Sequence, residues 1–340
     1  MQIGTHAYPG AYAYPGLFSV VPTGIAAAYD ERFYVGPLGR LTALPNVAGQ
    51  TDTNIAVIGG THVSLTGAYT RDVFGYKQSW TWTYPMLTAR QAKFVEALQR
   101  GLVPGPLYLL DPRRPNRLPM QAASGGSLLR NASGFIPSNT ASCSWDAMST
   151  ITTGDASTLP APLLLRGALN VLPLAPGALT LELAGQASDG RLDVPAVPGE
   201  TLIASGCVLG PSSSPTALSV TTYDAGGAAV TTFNADAITP SQTSWSRLAV
   251  TVTVPDTAVS LRVVLSQNAA SNNSSWFTAL QVALPQVDPV GLAVSHDADD
   301  TDLGGGWHLG GGAPQVVPDV GASSYPYPGV YASALTLTEK

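Results

Sequence analysis

The stretch Gly75–Arg114, GYKQSWTWTYPMLTARQAKFVEALQRGLVPGPLYLLDPRR, restricts the fold more than any other part of the chain. Between Ser79 and Tyr84, small polar residues (Ser79, Thr81, Thr83) alternate with large aromatics (Trp80, Trp82, Tyr84). A side-chain period of two puts the three rings on one face of a strand, and Pro85 is expected to end it. Thr88 and Gln91 then form a capping-box pair. Ala92, Val95 and Leu98 follow at helical spacing, with Phe94 beside Leu98, and Gly101 supplies a stop. This predicts a helix over Thr88–Arg100. Pro104-Gly105-Pro106 turns the chain into a short apolar strand, Leu107–Leu110, closed by Asp111-Pro112. The Trp80, Trp82 and Tyr84 rings need a cover: this helix, which makes them core, or another chain, which makes them an assembly face.

Elsewhere helical signals are scarce. Glycine and proline number 35 and 28, a density that breaks a chain of 340 residues into short strands and many turns. The length allows two domains with separate cores. A net charge of −6 with no lysine/arginine run argues against binding a nucleic-acid backbone. Only 11% of residues are charged while 45% are apolar. Either other subunits cover much of the surface, or that surface is rich in Thr and Ser and polar without charge. Cys143 and Cys207 are too few for a disulfide framework; they could pair in an oxidising compartment, while in a chain made in the cytosol they read as two buried free thiols. The first ten residues carry no secretory signal pattern, and no apolar run reaches the roughly 18 residues of a membrane span.

In chain order, Ala7-Tyr8-Pro9-Gly10 repeats as Ala13-Tyr14-Pro15-Gly16, and Tyr325-Pro326-Tyr327-Pro328-Gly329 answers it near the other end. These are turn segments of a mobile arm, or an arm docking through Tyr8, Tyr14, Tyr325 and Tyr327. Short strands are expected at Phe18–Val21, Arg32–Val35 and Ile55–Ile58, the last turning at Gly59-Gly60 into His62–Leu65. The Gly/Ser-rich run Ala122–Ser127 reads as a linker. Beyond it come β-runs at Leu163–Leu165, Leu179–Leu183, Glu200–Val208, Ala217–Tyr223, Arg247–Val254, Val259–Ser266 and Phe277–Leu284. Turn signals separate them every 8–15 residues or so, the rhythm of a sandwich. Ala332–Thr338 alternates like a final strand. Were it to pair with the first domain, the sandwich would be an insertion. The expected organisation is 1–125 and 286–340 as one β-domain, with 126–285 as the inserted sandwich.

Two resemblances follow. The strand, the Leu87-Thr88 helix start, the amphipathic helix, Gly105-Pro106 and Leu109-Leu110-Asp111-Pro112 resemble the core of distal tail and minor tail proteins of long-tailed bacteriophages, over roughly Phe33–Leu118. That family implies a structural role, in an antiparallel β-sandwich domain with one short helix that forms a ring at the tail tip. Its partners would be copies of itself (a hexamer or trimer) and other tail proteins, its location the virion tail, and its activity non-enzymatic. The second rests on Asn131–Phe135 before Trp145, Val197–Glu200 leading a strand, Tyr223–Gly226, Ser244–Arg247 and Val254-Pro255. This ordered set resembles jelly-roll carbohydrate-binding modules of the galactose-binding-like fold. Those modules usually carry an Asp after the aromatic pair of the last strand; here Trp276-Phe277 is followed by Thr278.

The expected fold class is therefore mainly β, a tail-type domain plus a jelly roll. No catalytic arrangement emerges: the four histidines are in no metal-spaced pair and no serine sits in a G-x-S-x-G elbow. Asp297, Asp299 and Asp302 beside His296 lack the spacing of a calcium loop, so neither metal nor cofactor is expected. Sugar binding, implied by the second resemblance, would use Trp276 with Asn272 and Asn273, and Tyr223. More often such rings fill the core of a sandwich or its edge.

Overall fold

The structure is a computed structural model. It describes residues 33–45, 51–63, 69–138, 141–151, 166–185, 187, 189–269, 273–284, 307–319, 323–327 and 329–340. Every strand pairing among them is antiparallel. No described helix is long and apolar enough to cross a membrane. Two compact units divide the chain: 33–110 with Pro314–Lys340, and Asp111–Ala313.

The first unit opens with β1 (Tyr34–Gly36), β2 (Thr42–Ala43), β3 (Thr51–Val63), β4 (Tyr69–Leu87), α1 (Ala89–Gln99) and β5 (Leu107–Leu110). The second contains α2 (Met120–Ala123), β6 (Phe135–Pro137), β7 (Ala141–Ala147), β8 (Gly167–Pro173), β9 (Gly177–Leu183), β10 (Val194–Pro195), β11 (Thr201–Leu209), β12 (Thr216–Asp224), β13 (Ala229–Asn234), β14 (Ser246–Thr253), β15 (Ala258–Ala269) and β16 (Ser275–Ala283). The chain then returns to the first unit as β17 (Gln315–Pro318), β18 (Ser323–Tyr327) and β19 (Val330–Glu339).

The first unit is one eight-stranded sheet, in the order β2-β1-β5-β17-β19-β4-β3, with β18 also on β19. The layer against it is α1. Thr88 caps that helix as predicted: its hydroxyl accepts from the Gln91 amide, and the Gln91 side chain accepts from the Thr88 amide at 2.9 Å. At the other end Gly101 sits at φ +65° and donates to Leu98, while Leu102 donates to Ala97, a Schellman ending that favours glycine. Phe94, Val95 and Leu98 pack on Trp80, Trp82, Tyr84, Leu335 and Leu337. The three rings are at most 2% exposed, so they are the core of this unit and not a free assembly face. Phe33 meets Trp82 edge-on at 5.1 Å, and Gln99 Nε2 donates to the Ala334 carbonyl at 2.6 Å, locking helix to sheet.

Two local expectations fail. Pro85 does not end its strand, because β4 runs on to Leu87. The ladder to β19 skips there, pairing Tyr84 with Ser333 and Leu87 with Tyr331, and β3 accompanies β4 only as far as Trp82. A residue without an N–H is tolerated at such a bulge. Gly59-Gly60 is not a turn either: both lie inside β3, facing Val73 and Asp72, beside a register shift. Glycines inside a strand mark a bulge as readily as a hairpin. The strand expected at Phe18–Val21 lies outside the described residues, as does Leu163–Leu165.

The second unit is a two-sheet jelly roll. One sheet has the order β13-β12-β15-β9-β6, with β10 also on β15; the other is β14-β11-β16-β8-β7. Leu181, Leu218, Val220, Leu261 and Leu265 of the first meet Leu169, Val171, Leu202, Val252 and Phe277 of the second in one core. The expected linker Ala122–Ser127 is part of this unit instead. Met120–Ala123 is helical, and Ala122, Ala123 and Ser124 are buried. These residues are small because they are packed.

What they pack against explains the unit's edges. β8 pairs only with Ser275–Phe277, leaving the rest of that side of β16 without a strand. Asn116 takes its place: its Nδ2 donates to the Leu280 carbonyl, its Oδ1 accepts from Val282, and the Arg117 amide donates to Val282. Trp307 Nε1 adds a bond to the Leu280 carbonyl. The glycines around Trp307-His308 now have a reason. A Cβ on Gly310 or Gly312 would lie 2.0 Å from a carbonyl oxygen, of Leu118 or of Arg114. Arg117, 8% exposed, makes a bidentate pair with Glu200, 2% exposed, at 2.5 and 2.7 Å, and also donates to Pro195. Cys143 on β7 and Cys207 on β11 stand three strands apart in one sheet, ~14 Å at about 4.8 Å per strand, and remain free thiols.

The chain leaves the first unit and returns to it at one place. Tyr108 of β5 pairs with Gln315 of β17, and Leu109 donates to Pro314. β19 then lies against β4 from Ser79 to Leu87. The jelly roll is thus inserted into the sequence of the first unit.

Candidate functional site

Pairing of β16 with β8 and of β8 with β7 brings three polar-capable positions into register. Trp276 faces Asn170, which faces Ser144. Alternation sends Leu169, Val171 and Phe277 into the core and puts Trp276, Asn170 and Ser144 at positions of the other face, although the partly buried Trp276 ring also packs against residues of that core. Asp146, two residues along β7, lies between the first two. Its Oδ2 accepts from Trp276 Nε1 at 2.8 Å and from Asn170 Nδ2 at 2.7 Å. These bonds fix the indole plane and the amide together. The second carboxylate oxygen, Oδ1, has no hydrogen-bond partner among the described residues, and Asn170 Oδ1, itself buried, has none either.

Around this trio Ser142, Ser144 and Asn273 are exposed, and Leu172 is 38% exposed. Arg166, exposed at the start of β8, makes no ion pair with Asp146. The patch combines a half-buried aromatic ring, an oriented carboxylate and small hydroxyls. A ring can take the C–H face of a sugar, and a carboxylate accepts strongly from hydroxyl groups.

Tyr223 belongs elsewhere. It lies on β12, in the other sheet of the sandwich, and does not converge with Trp276. The Arg262 guanidinium sits over its ring at 4.8 Å, taking one face. Arg262 is held by Asp193 and Asp189, both at 2.6 Å. The Asp193 hydrogen bond above all keeps that guanidinium protonated beyond its ordinary range. Arg191 joins Glu182 and Asp189 beside it, so this network ties the chain between β9 and β10 to the sheet.

Of the other expected site residues, Asn272, Tyr8 and Tyr14 lie outside the described residues, as do His296, Asp297, Asp299 and Asp302. Tyr325 and Tyr327 fall in β18, which pairs with β19; their side chains are outside the description. Thr278, next to the Trp276-Phe277 pair, donates to the carbonyls of Ser124 and Gly167 at 3.4 Å. Among the described residues no group of three His, Cys, Asp or Glu is placed to hold a metal. Sequence reading missed Asp146 and Asn170. The one available signal was an Asn inside the apolar run Ala168–Leu172.

No protein-family model matches the chain, and no curated protein does. Among solved structures it is similar to the enzymatically active domain of tailspike protein 4 of bacteriophage CBA120, at 13% identity and a TM-score of 0.37, over 50% of this chain and 21% of that one. It is also similar to the CBM22-1 xylan-binding domain of Xyn10C from Paenibacillus barcinonensis, at 13% identity and a TM-score of 0.31, over 46% of this chain and 90% of that one. A third is TmCBM61 in complex with β-1,4-galactotriose, at 12% identity and a TM-score of 0.32, over 50% of this chain and 98% of that one. This chain thus spans about a fifth of the length of that tailspike domain.

Proposed function

We propose that this chain is a structural protein of a bacteriophage tail, of the distal or minor tail type, which assembles with copies of itself into a ring at the tail tip and carries the jelly roll as a module for a host-surface glycan. One observation carries the assembly half. β19 reaches β4 only as far as Ser79, so Ala56–Val63 and Tyr69–Lys77 pair with nothing but each other among the described residues. They form a two-stranded ribbon roughly 30 Å long at about 3.3 Å per residue. Such a hairpin is marginal alone in water, and Ile58 on it is 42% exposed. A neighbouring copy supplies the missing cover, which also suits a chain with 11% charged residues.

The test is to measure mass by light scattering and to image the purified protein, beside a variant in which an Asn-Gly turn joins Ile55 to Gln78. Those two residues face each other in the ladder. A ring for the parent and a monomer of unchanged melting temperature for the variant are expected. A parent that stays monomeric at micromolar concentration overturns the assembly reading. A second reading, a free carbohydrate-binding protein, is favoured by the Trp276–Asp146–Asn170 patch, which needs no partner copy. A monomer that retains a glycan would be its signature.

A further inference from the structure

We infer that the glycan taken at the Trp276 patch is neutral, recognised through hydroxyl groups that donate to Asp146, and that glycans bearing carboxylates or sulfates are turned away. This rests on the glycan-binding half of the proposed function. Trp276 has already given its one N–H, and Asn170 has given an amide hydrogen, both to the same Asp146 oxygen. The two strongest donors are therefore consumed in building the site. What remains at its centre is an acceptor, Asp146 Oδ1, without a partner among the described residues.

A pyranose with adjacent free hydroxyls meets this arrangement on both counts, with O–H groups toward the carboxylate and its C–H face on the indole. Ser142 and Ser144, exposed along β7, can give or take hydrogen bonds with the next sugar. An anionic sugar would set a negative charge beside a carboxylate that makes no ion pair among the described residues. Arg166 forms no ion pair that would neutralise it. Like charges this close cost binding, and the cost is greatest where a ring excludes water. The charge of Asp146 thus acts twice, as acceptor and as filter.

Affinity electrophoresis tests this with the full chain. Galactan, xylan and a mixed-linkage β-glucan serve as neutral probes; polygalacturonate and dextran sulfate serve as anionic ones. The expected result is retardation by at least one neutral polysaccharide and by neither anionic one. Trp276→Ala should abolish it. Asp146→Asn keeps an acceptor for the Trp276 N–H but removes the charge. It should weaken neutral binding about tenfold, as losing one charge-assisted hydrogen bond does, and should begin to admit polygalacturonate. Melting curves of both variants must match the parent; if either unfolds, Ser144→Trp, which blocks the face from an exposed position, replaces it and should abolish retardation. Retardation by an anionic probe that depends on Trp276 would overturn the neutral assignment and leave the glycan reading intact. An Asp146→Asn chain that binds as the parent does would also overturn it. Retardation by none of the five would overturn both.

Discussion

Trp82 and Cys207 illustrate what burial does to single side chains here. Trp82 is 2% exposed under α1. Trp82→Ala should cost about 3–5 kcal/mol and unfold the first unit, as removal of a core ring does. Thermal melting of the variant checks this; unchanged melting would mean the ring is dispensable. Burial pushes the Cys207 thiol from 9.0 up to about 12, with Arg247 opposing, and pushes Cys143 up to about 11. The Tyr84 phenol moves up for the same reason. The sign follows from protons retained. Above pH 9 the unfolded chain loses thiol protons that the folded chain keeps, so stability is full below pH 9 and falls as pH rises toward 11–12. Cys207→Ala should flatten part of that fall, read as urea midpoints at about pH 8 and about pH 10.5. The alternating rings were legible in the sequence because period two is local. Asp146 was not, because its role exists only once β7, β8 and β16 lie side by side.

At the scale of elements, local chemistry was readable where it closes on itself. The capping box at Thr88 and the glycine at 101 define α1 without help from the rest of the fold. Thr88→Ala should cost about 1 kcal/mol, seen as a small drop in the first unit's melting temperature. Punctuation was misleading where a distant partner decides its meaning. Pro85, Gly59-Gly60 and Ala122–Ser127 all look like breaks. Each is instead accommodated inside an element or a packed segment, by a bulge in β4, a register shift in β3 and burial around α2. The Arg117–Glu200 pair belongs here too, since it fastens the segment before α2 to the start of β11. Glu200→Gln would leave a buried guanidinium under-compensated and should destabilise the jelly roll by about 3–5 kcal/mol. Arg117→Met with Glu200→Leu should recover most of that loss. A double variant no better than the single would show that the charge balance is not what matters.

For the whole molecule, the division into units makes a direct prediction. A fragment Asp111–Ala313 holds both sheets of the jelly roll, its core and the Asn116 and Trp307 contacts on β16. It should melt cooperatively alone, whereas 126–285 lacks those contacts and should be less stable. Calorimetry of the two fragments decides. The side-by-side course of β5 and β17 also has a consequence for the order of events during synthesis. Every residue of the jelly roll leaves the ribosome before β17 and β19 do, yet these two strands lie between β5 and β4 in the first sheet. That sheet must wait, half-made and with an uncovered strand edge, until the last residues arrive. Closing so long a loop is slow if the intervening chain is still unfolded. A jelly roll that folds first, with its two ends held together by the Asp111–Gly312 hydrogen bond, delivers β17 next to β5. The inserted module would then serve as the folding template of the unit that carries it.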